Sequence, residues 1–173
     1  RRTPFGFGDV WNVFATARTE SRIMTMIVLA GASSFFVGNA FQAQMPEYAQ
    51  YLGADDTGAR YTILLAANAA GAVLGVILLE SATLLQPTTR TAIVCAAFWA
   101  VAMGLFPMTH DYVTAVVLLV VAGMFSIAFT SVAQTVVQML APAGVRGSIV
   151  GLFNTAMMGL RAGAGVTVGV MGA

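Results

Sequence analysis

Between Arg22 and Glu47 the chain carries no charged residue, and further long uncharged runs follow Arg60, Arg90, Asp111 and Arg146. A run of ~20 apolar residues is what an α-helix needs to cross the ~30 Å hydrocarbon core of a bilayer. The runs predict transmembrane helices at about 23–45, 61–82, 91–106, 112–141 and 148–172. Turn chemistry separates them: Pro46 and then Gly53, Asp55, Asp56 and Gly58, next Gln86 to Arg90, then Pro107 to Asp111. The last break is Ala141-Pro142, followed by a turn through Ala143 to Gly147. Ahead of the first run, residues 1–22 read as a cytoplasmic linker in which Asp9 to Arg22 form a short amphipathic helix, with Trp11 beside Arg18 and Arg22 as at a membrane interface. Residues 23–173 read as one transmembrane bundle.

Polar and small residues inside these runs give the helices faces. Asn39 and Gln42 stand at i,i+3 on the first, and Asn68 lies near the start of the second. Ser126, Thr130, Gln134 and Gln138 recur every fourth position along the fourth, which keeps them on one slowly drifting stripe. Ala67, Gly71 and Gly75 form a ridge of small residues that lets another helix approach closely. On the fifth helix Gly147, Gly151, Thr155, Gly159 and Gly163 make a second such ridge, expected to be the packing face, with Asn154, Met158 and Arg161 away from it. The third helix has no polar face and is expected at the lipid periphery. An arginine deep in an uncharged segment is costly in lipid, so Arg161 is expected to face a bundle interior or a wet cavity.

Composition confirms the solvent. Hydrophobic residues make up 58% of the 173 and charged residues 9%, against roughly a quarter charged in soluble domains. The net charge of +1 gives no general attraction to nucleic acid. Lysine is absent, and the single cysteine, Cys95, cannot form an internal disulfide. His110 stands alone in a turn, with no second histidine or cysteine near it to hold a metal. No nucleophile pair, metal cluster or phosphate-binding loop is present, so neither an enzyme nor a cofactor is expected.

With the N-terminal end cytoplasmic, Arg1, Arg2, Arg18, Arg22, Arg90 and Arg146 lie inside and only Arg60 outside, as the positive-inside rule requires. Arg90 and Arg146 then mark cytoplasmic loops. At ~1.5 Å per residue, Arg161, Asn39, Gln42 and Asn68 fall at one level in the outer half. Such groups satisfy one another, water or a bound solute across a cavity, or else act as interhelical glue. The chain begins without Met and ends in an apolar run, which reads as a piece of something longer.

One further pattern carries more than a class. The segment Val136-Val137-Gln138-Met139-Leu140-Ala141-Pro142, then Val145-Arg146-Gly147, Gly151-Leu152-Phe153-Asn154-Thr155-Ala156 and Gly159-Leu160-Arg161, resembles the C-terminal half of a major facilitator superfamily transporter, in the bacterial branch of siderophore and drug exporters. Asn68 to Gly75 looks like that branch as well. The resemblance spans about Arg22 to Ala173 and implies an all-α membrane protein, about five helices of a six-helix half-bundle with the last helix missing. It also implies a bacterial inner-membrane carrier working by alternating access, partnered by lipid, a small-molecule substrate, the missing N-terminal half and possible coupling protons. In that frame Arg161, Asn154, Asn39, Gln42, Asn68, Ser126, Thr130 and Gln134 line the substrate cavity, and Gly71, Gly75, Gly151, Gly159 and Gly163 serve helix packing. The acidic-Arg-Gly-Arg loop common in the family is absent between Glu80 and Arg90. Glu80 is the one acid within a predicted span, near its cytoplasmic end, where a structural role is expected. A non-transporting membrane scaffold or assembly subunit is the alternative.

Overall fold

The structure, a computed structural model, describes residues 7–38, 45, 47–52, 58–81 and 86–171, and their side chains except at 7–10, 12, 38, 80, 81 and 160–171. Described elements are helical throughout. Helix α1 spans Phe7–Thr19, α2 Ser21–Ser33 with a π-helical continuation at Ser34–Gly38, and α3 Ala59–Ser81. Helix α4 spans Thr89–Leu105 and closes in a 3-10 turn at Phe106–Met108, α5 spans Tyr112–Leu140, and α6 spans Arg146–Met171. The chain is therefore an all-α membrane protein.

Local chemistry sets the helix starts. The Thr88 hydroxyl accepts from the Thr91 N–H at 3.2 Å and caps α4. The Asp111 carboxylate accepts from the backbone N–H and the hydroxyl of Thr114, each at 2.8 Å, and caps α5. These hydrogen bonds hold the Asp111 carboxyl below its ordinary range. At the other end of α5, the Arg146 Nε donates to the Ala141 carbonyl at 3.5 Å, placing a cation where the α5 dipole is negative.

Among the described residues three stretches are long and apolar enough to cross a membrane: Ala59–Leu79, Thr89–Met108 and Tyr112–Leu140. Residues Val13–Thr19 and Ser21–Val37 qualify only as a pair, and the chain bends 113° between them. Such a bend lays α1 nearly across the end of α2, as an elbow. Trp11, 73% exposed, belongs to that elbow. Three to four crossings are thus described where the sequence predicts about five. The remaining one falls on α6, a 26-residue helix whose outer side chains lie outside the description. At 29 residues α5 is about 43 Å long, more than the hydrocarbon thickness, so it tilts or projects.

Helix α5 is the hub, packed against α3, α4, α2 and α6. Its contact with α3 is backbone to backbone. A Cβ at Gly71 would stand 2.0 Å from the Val120 carbonyl oxygen, and one at Gly123 would stand 2.1 Å from that of Asn68. At Gly75 it would meet Ile127 Cγ2 at 2.5 Å and the Met124 carbonyl at 2.8 Å. Where backbones come this near, dispersion and Cα–H···O contacts replace the hydrophobic drive that lipid removes. The order of partners, 71 with 120 and 75 with 124 and 127, makes α3 and α5 parallel. Helix α4 stacks Phe98 on Phe125 and Trp99 on Phe129. It runs antiparallel to α5, since Ala92 and Cys95 at its start share a cluster with Val136 and Val137 at the end of α5, while Phe106 beyond its end joins Ala115 and Leu119 at the start.

Two apolar clusters fill the bundle. One joins Ile23, Met26 and Ala30 of α2 to Cys95 of α4, Phe129 and Val137 of α5, and Ile149 and Phe153 of α6. The other, at the opposite end, joins Met45, Leu64, Phe106 and Leu119. Polar ties finish that end: Tyr51 Oη lies 2.6 Å from His110 Nδ1, and the Tyr112 hydroxyl donates to the Arg60 carbonyl at 3.0 Å. Helix α4, expected at the lipid periphery, leaves Ile93, Val94, Phe98, Val101 and Leu105 exposed, and small Ala92, Cys95 and Ala96 seat its other face against α2 and α5. The helix with a single substantial neighbour is α3, whose Val73, Ile77 and Leu78 are exposed.

A side chain at position 71 or 123 must displace a carbonyl that belongs to a helix, whereas among the described residues nothing stands within 4 Å at Gly151. Gly71→Ala and Gly123→Ala should each destabilise the purified protein by about 1–3 kcal/mol. Gly151→Ala should leave the thermal midpoint within a degree or two of wild type; equal effects at all three sites would refute the crossing described above.

Candidate functional site

Polar groups at membrane depth are the candidates, and the structure distributes them unevenly. Asn39 and Gln42 lie outside the described residues. Asn68 is half-buried at the α3–α5 crossing, its Oδ1 2.8 Å from where a Cβ on Gly123 would be. It therefore lies against a helix backbone, and among the described residues its amide makes no hydrogen bond. Ser126, Thr130 and Gln134 are half-buried along α5. The Thr130 hydroxyl donates to the Ser126 carbonyl at 2.9 Å, which satisfies it within its own helix.

Helix α6 packs through large residues. Ile149 and Phe153 are fully buried, and the Met157 carbonyl accepts a short hydrogen bond from the Ser34 hydroxyl. The small ridge read from spacing as the packing face has a different setting: among the described residues nothing approaches Gly147 or Gly151, and Gly159 meets only Thr155 of its own helix at 3.6 Å. Volume decides this, because Ile149 and Phe153 fill the space beside α2 and α5 while the ridge stays open. Asn154 and Met158, expected away from that ridge, share its exposed side. At 3.6 residues per turn Gly151, Asn154 and Met158 fall within about 60° of one another. Position 161 lies two turns beyond Asn154 on nearly the same azimuth; the Arg161 side chain and that of Gly163's neighbours lie outside the description, as does the side chain of Glu80.

The contact missing from the sequence reading is Ser34. It is the buried polar residue of the described core, 5% exposed, and it sits at the first position of the π turn. A π turn inside an α-helix is rare and often marks a functional position. Ser34 ties that turn to α6, and since the beginnings of α2 and α6 share one apolar cluster, the two helices run parallel and in register. The sequence signal was the small-residue stretch Gly31-Ala32-Ser33-Ser34. Arg90 and Arg146 are exposed at one end of the bundle, where α4 and α6 begin. Among the described residues no group of three His, Cys, Asp or Glu side chains converges to hold a metal.

The fold and these faces define a multi-pass membrane protein whose helices pack through glycine contacts and leave a polar side open. The family model of the Major Facilitator Superfamily matches residues 2–165, nearly the whole chain, so the protein belongs to that superfamily, a family of transporters rather than enzymes. No curated protein and no solved structure matches the chain. Membership brings a lipid environment and a small-molecule substrate.

Removing the Ser34 hydroxyl leaves the Met157 carbonyl and the widened turn without their tie. Ser34→Ala should cost about 0.6–1 kcal/mol of stability in a membrane mimetic. It should also broaden the distance distribution between spin labels on α2 and α6; an unchanged distribution and midpoint would show that the contact holds nothing.

Proposed function

We propose that the chain supplies five helices of the C-terminal half of a secondary active exporter in a bacterial inner membrane. Its cargo is a small amphipathic or anionic molecule, moved by alternating access against an N-terminal half. The observation that carries this reading is the open side of α6. Asn154 is exposed there, eight residues into a helix that begins at Arg146, or about 12 Å along it. An amide at that depth facing hydrocarbon would go unsatisfied, so it faces a cavity or a partner. Position 161 lies two turns further on the same side of the helix, and an arginine there is suited to an anionic group of the solute or to a carboxylate on the opposite half. Asn39 and Gln42 complete the proposed set, with Asn68 and the Ser126, Thr130 and Gln134 stripe contributing from α3 and α5. Open glycines at 147, 151 and 159 let the facing half rock past α6. Coupling protons would act on a carboxylate of the N-terminal half, since Glu80 lies near the end of its helix.

The same open glycine side also suits a static helix partner, the arrangement of a scaffold or assembly subunit. Two measurements separate the readings. In the full-length protein, Arg161→Ala should lower efflux of amphipathic or anionic dyes at least tenfold with membrane insertion intact. A cysteine at Asn154, in a Cys95→Ala background, should react with a membrane-impermeant maleimide from one side. Undiminished efflux rejects the role of Arg161, and an unreactive Cys at 154 favours the dry interface.

A further inference from the structure

At the end of the bundle where α2 and α4 begin and α5 ends, a cleft of about 190 Å³ opens to the surface. Its walls are Arg22 of α2, Thr88 and Thr89 at the start of α4, and Val136, Met139 and Leu140 of α5. The composition is divided. One side offers a guanidinium and two hydroxyl-bearing residues, the other an apolar strip along the last turns of α5. Arg22 is exposed and makes no ion pair among the described residues, and Glu20, its nearest acid in sequence, does not line the cleft. Arg90 follows Thr89 in the chain and is exposed, although it does not line the cleft.

Helix α1 supports a headgroup level for this cleft. That helix turns 113° away from α2 immediately before Arg22, and it carries exposed Trp11 and Arg18, residues of the boundary between headgroups and hydrocarbon. A cleft beside such a helix suits the level of lipid phosphates. Met139, 66% exposed although apolar, continues the strip toward the hydrocarbon.

We propose that the cleft binds an anionic phospholipid, its phosphodiester against Arg22 and the Thr88–Thr89 edge, and an acyl chain along Val136, Met139 and Leu140. A basic pocket between transmembrane helices at a headgroup level is the arrangement that selects anionic over zwitterionic lipid. A free phosphate would use Arg22 and leave the apolar strip idle. A lipid uses both. By bridging α2, α4 and α5 at one end, the bound lipid would clamp the arginine-rich end of the bundle. The site stands whether or not the chain transports.

The test is native mass spectrometry of the purified protein in detergent with equimolar phosphatidylglycerol and phosphatidylcholine of matched acyl chains. Wild type should retain phosphatidylglycerol about fivefold over phosphatidylcholine, the preference one well-placed arginine confers. Arg22→Gln should bring the ratio near parity, and Met139→Glu, a negative charge set on the apolar wall, should abolish retention. Arg18→Gln, outside the cleft, should leave the ratio unchanged. Millimolar inorganic phosphate should not displace the lipid. Parity in wild type, an equal loss in Arg18→Gln, full retention in Arg22→Gln, or displacement by phosphate alone would each overturn the proposal.

Discussion

The structure depends on a contact between two backbones. Gly71 of α3 and Gly123 of α5 each present a bare Cα to a carbonyl of the other helix, with Gly75 continuing the line one turn on. In lipid there is no hydrophobic gain from bringing apolar helices together, so close packing and weak polar contacts have to hold them. That contact fixes α5 beside α3 along the middle of the bundle. Helix α5 then has its other sides free to seat α4 through stacked aromatics and to meet α2 and α6 through Phe129, Val137, Ile149 and Phe153.

How legible this was depended on what each residue pattern encodes. Charge-free runs bounded by proline, glycine and arginine specify helices that cross a membrane, and composition alone specified the solvent. Four-residue spacing of Ala67, Gly71 and Gly75 was visible as a ridge, but its counterpart was not, since Gly123 is a lone glycine in a uniform apolar run. The ridge on α6 shows the limit of such spacing. Small residues permit close approach without requiring it, and within this chain the volumes of Ile149 and Phe153 claimed the interface. Helix α4, which has no amide, keeps the exposed apolar face that its composition suggested, while Ala92, Cys95 and Ala96 let its other face pack closely. The π turn at Ser34 had no more than the small-residue stretch before it as a signal, and its contact with the Met157 carbonyl, 123 residues away in the chain, is not encoded locally.

These elements give the superfamily assignment a physical form. Parallel α2 and α6, tied at Ser34 and Met157, present one side of the bundle, and α6 keeps Gly147, Gly151, Asn154 and Met158 exposed there among the described residues. The opposite arrangement holds on α3, where exposed residues such as Val73 and Ile77 are apolar and suit lipid. A membrane helix with a polar side left open is built to meet something other than hydrocarbon, and solute handling between two halves is the reading that the resemblance and the faces share.

The central claim is the backbone-level approach of α3 and α5, and disulfide trapping tests it most directly. With Cys95→Ala as background, Gly75→Cys and Ile127→Cys place two thiols where the facing side chain has been vacated. Disulfides need Cβ atoms about 3.5–4.5 Å apart. Mild oxidation in native membranes should consume both thiols of this pair, as counted by maleimide labelling and intact mass. Gly75→Cys with Ala115→Cys, about three turns away along α5, should remain reduced. Free thiols in the first pair, or closure of the second, would contradict the account.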